Sequence, residues 1–401
     1  MANASKVLIL TLPPDILGGV ATKAKIMADF LRDAGCDVTI AFYATRLHRP
    51  ELCTWTMKSW FGARPKVRSE TAFGGHRCIA VGCLDPFLEY NYSRPSKLWR
   101  KLIEEHDIHF AIGGTSVIAG PLSDAGVRHL IWCASDVEGD RSDRRRMMPL
   151  WRRVFDRYVV TPGLLQQQQS VLKGCGRVLG VSPYTVKTLA RVSGQHQNDF
   201  GVLPIPTDID FFHPPDAPPT SPVMGFAGRL DDPRKNPSLL FEVLASVRSS
   251  GIDARLRVTG EKTSLLQRMA EDKGVGDQVE FSGVLNRDDL RAFYQGLRVL
   301  VIPSFQEGLA IVGIEAMACG VPVISTRCGG PEAYIRHREN GYLIGFDPAE
   351  AARRAANLFE DDRIRDDLSA SARETAVEFY AMDRFERRVR EEWSNQWREI
   401  L

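Results

Sequence analysis

The sequence predicts an α/β protein made of two doubly wound, Rossmann-like halves, and three observations carry that reading. A strand, a glycine loop, a helix and a second strand follow one another over the first forty residues. The same order restarts near residue 222, and a Pro-rich stretch separates the two. At 401 residues the chain is too long for one ordinary core and suits two domains of about 200 residues or fewer.

Val7–Leu12 is a continuous apolar run, as a strand buried on both faces requires. Pro13 to Gly19 reads as a loop, Val20 to Ala34 has helical periodicity through Ile26, Phe30 and Leu31, and Gly35 ends that helix. Val38–Phe42 is the next strand. In the second half, Val223–Ala227 reads as a strand and Gly228 to Asp232 as its loop. A helix opens at Asn236-Pro237, with Asn236 as N-cap and Pro237 at the first helical position, and Leu256–Val258 is the following strand. Strands at 279–281, 298–302, 321–326 and 342–346 alternate with helices at 287–296 and 309–319, and the tail from Pro348 is helical. The expected domains are 1–205 and 222–381, joined by a linker at 206–221. A last helix, about 382–401, carries Phe385, Val389, Trp393 and Trp397 on one stripe that must pack on something.

Apolar residues make up 44% and charged residues 25%, an ordinary globular composition that excludes extensive disorder. Net charge is only +2, but residues 1–200 hold 27 basic against 18 acidic side chains, and residues 201–401 hold 25 against 32. The first half therefore favours anionic partners. The eight cysteines (36, 53, 78, 83, 133, 175, 319 and 328) include no C-x-x-C pair or zinc pattern, which suits a reducing, cytoplasmic compartment. No stretch approaches eighteen apolar residues, so no spanning helix is expected. No metal cluster, Ser-His-Asp order or nucleic-acid module stands out.

Five constellations carry chemistry. Glu307 and Glu315 stand eight residues apart, the first in the loop after strand 298–302 and the second two turns into the next helix. Eight helical residues span roughly 12 Å, so one carboxylate suits sugar hydroxyls and the other a ribose diol. The helix-start amides between them suit a phosphate. Gly228-Arg229-Leu230 with Arg234-Lys235-Asn236 places cations at a strand's carboxyl end, with either Lys235 or Arg234 turned outward. Such a site stabilises a diphosphate leaving group; the alternative is a basic loop neutralised by Asp231 and Asp232. Gly18-Gly19 either lets backbone approach an anion at a helix start or makes a tight turn only. Asp136 and Glu138 follow strand 131–133 as catalytic acids or acceptor-hydroxyl binders, or else pair the nearby arginines. Finally, Arg144 to Arg153 (with Arg146, Met147 and Trp151) and Trp55 to Arg68 mix basic and aromatic residues. They suit either an anionic membrane surface or a solvated helix face.

With these motifs in place, the chain resembles the family-4 retaining glycosyltransferases, the group that includes glycogen synthase and mannosyltransferase-like enzymes, over nearly its whole length. The supporting residues are Gly18-Gly19, Val181-Ser182-Pro183, Leu203 to Asp210, Gly228-Arg229 and Lys235-Asn236. The most specific are Pro303-Ser304 through Glu307, Glu315 to Gly320 and Thr326 to Glu332. The resemblance implies the GT-B fold: two Rossmann-like domains facing a cleft, with the C-terminal helix crossing back to the first. It implies a donor site mainly in the second domain, an acceptor site in the first, and no metal or other cofactor beyond a nucleotide diphosphate sugar, UDP- or GDP-linked. Arg229 and Lys235 would hold the diphosphate, Glu315 the ribose and Glu307 the donor sugar. Gly308, Leu309, Ala310 and Ile311 would line the donor. Catalysis would rest on Glu307, Arg229, Lys235 and Asp136. Departures are Leu309-Ala310 where the family often has Phe-Gly, Cys133 to Asp136 where many members have a His, and Pro206-Thr207 in place of Asn-Gly.

The expected activity is retaining transfer of a hexose-type sugar to a hydroxyl of a glycan or lipid-linked precursor. The expected location is cytoplasmic, peripheral on the inner face of the membrane, with no nucleic-acid partner. Two rivals are a nucleotide-sugar epimerase on the same fold and a non-catalytic, membrane-peripheral binding protein.

Overall fold

The computed structural model describes residues 4–397 except Leu17, Cys175 and Asp231; the side chains of Asp143, Arg146 and Met147 are also outside the described set. The sequence readings that used Cys175, Asp231, Arg146, Met147 and residues 398–401 therefore lie outside the described residues. The chain divides into two compact units, one of residues up to Leu203 together with those from Arg388 onward, the other Pro204–Arg387.

The first unit holds strands β1 (Lys6–Thr11), β2 (Asp37–Tyr43), β3 (Val67–Ala72), β4 (His76–Val81), β5 (Ile108–Gly113), β6 (Leu130–Cys133), β7 (Arg177–Gly180) and β8 (Gly201–Val202). Their order is β3-β4-β2-β1-β5-β6-β7-β8, and every pairing is parallel except the β3–β4 hairpin. The central strands meet in the register Ile9↔Ile40 and Ile9↔Phe110. Val7 to Leu10 are fully buried, which is why the first strand reads as an unbroken apolar run. Helix α1 (Gly19–Asp33) covers the sheet through Met27, Phe30 and Leu31.

The second unit holds β9 (Val223–Phe226), β10 (Arg255–Val258), β11 (Val279–Phe281), β12 (Val299–Ile302), β13 (Val323–Thr326) and β14 (Gly341–Ile344). They form an all-parallel sheet in the order β11-β10-β9-β12-β13-β14. The strand order reverses between β9 and β12, and ligands of open α/β sheets bind beyond the carboxyl ends of strands at such a point. In the first unit the corresponding reversal lies between β1 and β5.

The segment expected as a linker packs onto the second unit. Thr207 N–H donates to Tyr380 O at 2.7 Å, and Arg373 donates to the carbonyls of Ile209, Phe212 and Ala318 at 2.7–3.0 Å. Phe212 is buried edge-on to Tyr294. The prolines keep this stretch extended, while its two phenylalanines give it apolar surface to bury. The terminal helix Met382–Gln396 passes from one unit to the other in sequence. Its stripe is buried, Trp393 and Trp397 lie against Phe110 at 5.8 and 5.7 Å, and Glu392 pairs with Arg177 at 3.0 Å.

Candidate functional site

At the switch point of the second sheet, two loops come together. The loop after β9 starts at Gly228, whose φ of 135° is a conformation that side chains rarely adopt; its N–H donates to Thr259 Oγ1 at 2.8 Å. Arg229 projects outward, 66% exposed, with one long 3.5 Å contact to Asp232. Asp232 caps the turn Pro233–Lys235 and takes the Arg234 guanidinium at 2.7 Å. This settles the open choice between neighbouring cations: Arg234 turns onto Asp232, and Lys235 turns across to the second loop. Asn236 sits in the left-handed region at φ 51°, so it is not the side-chain cap expected; its amide instead donates to Pro303 O at 3.2 Å. Phe305 N–H to Arg234 O, at 2.7 Å, fastens the loops to each other.

The loop after β12 carries Glu307, whose Oε1 accepts from Lys235 Nζ and from Ser304 Oγ, both at 2.6 Å. Its backbone bridges Gly329: Glu307 N–H donates to Cys328 O and Gly330 N–H to Glu307 O, both at 2.8 Å. Gly330 is required here, because a Cβ on it would lie 2.5 Å from Leu309 N and Cα. Leu309 is buried. Ala310 adopts φ 60°, ψ 66°, and helix Ile311–Ala318 starts after it with no side-chain cap. Tyr334 Oη donates to Ala310 O at 3.0 Å. The first amides of this helix have no intrahelical acceptor, and the helix dipole favours an anion at that end.

One expected distance is corrected. The helix was read as running from 309, placing Glu315 two turns in; it begins at Ile311, because Ala310 is left-handed, and Glu315 is its fifth residue. The helical rise between Ile311 and Glu315 is therefore roughly 6 Å, with a loop making up the rest of the separation from Glu307. Glu315 Oε2 accepts from Tyr294 Oη at 2.8 Å. Burial pushes its carboxyl up to about 7, against the smaller opposing pull of Tyr294 and Arg287. Arg287 also stacks over Phe211, 4.1 Å from the ring centroid, and pairs with Asp208. Tyr294, Arg287 and Tyr334 were not singled out from sequence, since an aromatic or Arg within an amphipathic helix gives no sign of what it faces.

In the first unit, Gly18 and Gly19 open α1, Gly18 with φ 141°, and a Cβ on either would meet nothing within 4 Å. Both therefore present bare backbone. Asp136 is the N-cap of helix Val137–Met147 and accepts from Gly139 N–H at 3.3 Å; it is buried. Glu138 pairs with Arg145 at 2.5 Å, the arginine-pairing alternative of the sequence reading. A cavity of about 500 Å³ opens beyond β1, β2 and β5, lined by Leu12, Tyr43, Phe87, Gly114, Arg144 and Trp151 among others. Lys23, in α1, is fully buried, a feature that sequence reasoning missed. Its Nζ donates to Gly113 O at 2.8 Å and Trp132 O at 3.2 Å, the last carbonyls of β5 and near-last of β6. The basic-aromatic segments are exposed at their apolar residues: Trp60 is 75% and Phe61 90% exposed, and Leu150 and Trp151 are also solvent-facing. No helix among the described residues is long and apolar enough to cross a membrane.

Residues 208–375 match the family described as glycosyl transferases group 1. A D-inositol 3-phosphate glycosyltransferase of Streptomyces bingchenggensis (strain BCW-1) is 28% identical over 236 residues, covering 53% of this chain and 51% of that one. The lipopolysaccharide core biosynthesis glycosyltransferase LpsE of Rhizobium meliloti (strain 1021) is 36% identical over 163 residues, 40% of this chain and 46% of its own. The chain thus spans about half the length of the curated relatives it matches. Anabaena Alr3699/HepE, solved in complex with UDP and glucose, superposes with a TM-score of 0.71 at 16% identity, covering 98% of this chain and 100% of that one. The fold is accordingly GT-B, with two Rossmann-like domains. The family likeness is carried by residues 208–375, the part of the chain that matches the glycosyl transferases group 1 model.

Proposed function

We propose that this protein is a retaining glycosyltransferase that moves a hexose-type sugar from a nucleotide diphosphate donor, UDP- or GDP-linked, to an acceptor hydroxyl. The observation that carries the reading is the Lys235–Glu307 pair beside the uncapped start of helix Ile311–Ala318, with Arg229 projecting alongside. The donor diphosphate lies against Arg229, Lys235 and the helix-start amides, the sugar hydroxyls against Glu307, and the ribose diol against Glu315. Gly308, Leu309, Ala310 and Ile311 supply the backbone between them. When the glycosidic bond to phosphate breaks, negative charge grows on the diphosphate, and the two cations and the helix terminus stabilise it in place. The departing phosphate oxygen takes the proton of the acceptor hydroxyl, which attacks from the same face. Asp136 acts through position, by capping the helix that borders the first-unit cavity, where the acceptor binds.

The acceptor is a glycan or lipid-linked precursor, and the protein works at an anionic membrane surface. The exposed Trp60 and Phe61 and the basic residues Lys58, Arg64, Lys66 and Arg68 around them support that part of the reading.

A thermal-shift screen against UDP, GDP, ADP and TDP, then the matching sugars, tests the donor reading. One diphosphate should raise the midpoint selectively, because a ligand that binds only the native state stabilises it by mass action. No rise with any of them would overturn it. Flotation with vesicles of phosphatidylglycerol and phosphatidylcholine tests the surface reading. Protein left at the bottom of the gradient in low salt would overturn that part alone.

A further inference from the structure

Outside the site, two thiols are set side by side. Thr54 and Leu84 form an isolated parallel bridge, so Cys53 and Cys83, one residue before each, are register neighbours on the same face. Thr54 N–H donates to Cys83 O at 3.0 Å and Asp85 N–H to Thr54 O at 2.8 Å, which fixes the two segments against each other. The Sγ atoms are 3.9 Å apart. Adjacent strands are separated by about 4.8 Å, within the roughly 4.4–6.8 Å between Cα atoms that a disulfide accepts. Closing the bond thus needs side-chain rotation rather than a new backbone path.

We propose that Cys53 and Cys83 form a reversible dithiol–disulfide site that reacts with low-molecular-weight disulfides such as oxidised glutathione. Cys53 is half-buried, whereas Cys83 is buried. The Cys53 thiolate attacks one sulfur of the small disulfide and expels its other half as a thiolate. Cys83 loses its proton to solvent and attacks Cys53 Sγ, expelling the second small thiolate. Two protein thiols are oxidised by two electrons, and the small disulfide is reduced to two thiols. The contact with Cys83 lowers the pKa of the Cys53 thiol, the direction that favours Cys53 as the attacking sulfur. The buried thiols of Cys78, Cys133, Cys319 and Cys328 are pushed the other way, to about 11 or 12, chiefly by burial. The pair sits at the base of Trp55 to Phe61 and of the loop that brings Pro86 and Phe87 into the first-unit cavity wall.

The test uses the reduced full chain, incubated with oxidised glutathione, quenched with acid, alkylated and digested without reductant. The expected result is an intact mass lower by two hydrogens, a linked peptide joining Cys53 to Cys83, and reversal by dithiothreitol. Cys83→Ser should stop at the first step, with one glutathione on Cys53. Cys53→Ser should leave Cys83 unmodified. Recovery of both cysteines as separately alkylated peptides from the folded wild type would overturn the proposal. So would equal glutathione incorporation at the other cysteines.

Discussion

Lys235 donates to Glu307 at 2.6 Å across 72 residues of sequence, and this contact joins the loops that follow the two strands at the switch point. Both side chains are largely shielded from solvent, at 19% and 12% exposure, so salt screens the pair less than it would a surface ion pair. It presets the ammonium beside the helix start and orients the carboxylate. Lys235→Ala removes one cation from the diphosphate and leaves the Glu307 carboxylate to Ser304 Oγ. A hydrogen bond to a charged group contributes about 1.5–3 kcal/mol. The variant should therefore bind the stabilising nucleoside diphosphate roughly ten- to a hundredfold more weakly by calorimetry. Unchanged affinity would remove Lys235 from the diphosphate site.

Glu315 gives a pH signature with a definite sign. Its carboxyl titrates at about 7 in the fold and at 4.5 ordinarily, so between those values the native state holds a proton that the unfolded chain has released. Stability must then fall as pH rises from about 4.5 to about 7 and level off above. The full effect is at most roughly 3 kcal/mol. Glu315→Gln should lack this slope when its denaturation midpoints are subtracted from those of wild type. Ribose hydroxyls donate to the ionised form, so affinity for the nucleoside diphosphate should rise with pH through about 7 in wild type and stay flat in the variant. A flat wild-type profile would contradict the assignment of Glu315 to the ribose.

Ala310 holds the left-handed backbone that starts the helix of the site. For a residue with a Cβ this conformation costs about 1–2 kcal/mol, partly offset against glycine by glycine's greater loss of freedom on folding. Ala310→Gly should raise stability by up to about 1 kcal/mol in denaturant titrations, since the Tyr334 hydrogen bond to its carbonyl is kept. Ala310→Val, with a β-branched side chain at positive φ, should destabilise by about 2 kcal/mol or more. Equal stability of all three would mean that the backbone at 310 is not held left-handed.

The order of strands and helices was legible because parallel strands buried on both faces read as apolar runs and because glycine and proline mark their ends. The placement of Arg229, Lys235 and Glu307 in the loops after β9 and β12 was legible for a related reason: each follows an apolar run by a few residues. What neighbours do to one another was not legible. Nothing local distinguishes Arg234 from Lys235; the division follows from Asp232, which captures one and leaves the other to Glu307. The helix start at Ile311 was missed because alanine is a strong helix former, and its local preference is overridden by the turn that Tyr334 and Gly330 impose. The linker reading rested on the prolines and on the extended, polar end of the stretch; that Arg373 and Tyr380, more than 150 residues away, bond to it was not legible locally.

Lys23 was invisible for the same reason, and it yields a prediction opposite in sign to that of Glu315. A lysine in a polar-faced helix reads as solvated, yet here its ammonium is fully buried and hydrogen-bonded to the carbonyls of Gly113 and Trp132. Burial lowers its pKa from 10.5 to about 8. Between those values the unfolded chain keeps a proton that the native state has released, so stability rises as pH increases from about 8 to about 10.5. The rise attributable to this one group is at most roughly 3 kcal/mol. Lys23→Met should lack it, and the difference between wild-type and variant stability should shift steadily in wild type's favour across that window. The subtraction removes the tyrosines and surface lysines that titrate in the same range. At pH 7 the variant trades a buried charge for two carbonyls without their donor, so its folded far-UV signature should be retained while the Gly113–Gly114 turn loosens. That loosening would register as faster amide hydrogen exchange at Ala134 and Ser135, whose N–H groups donate to Gly114 O at 3.0 and 2.8 Å. Parallel pH profiles for the two proteins would show that Lys23 is not buried as a charge at all.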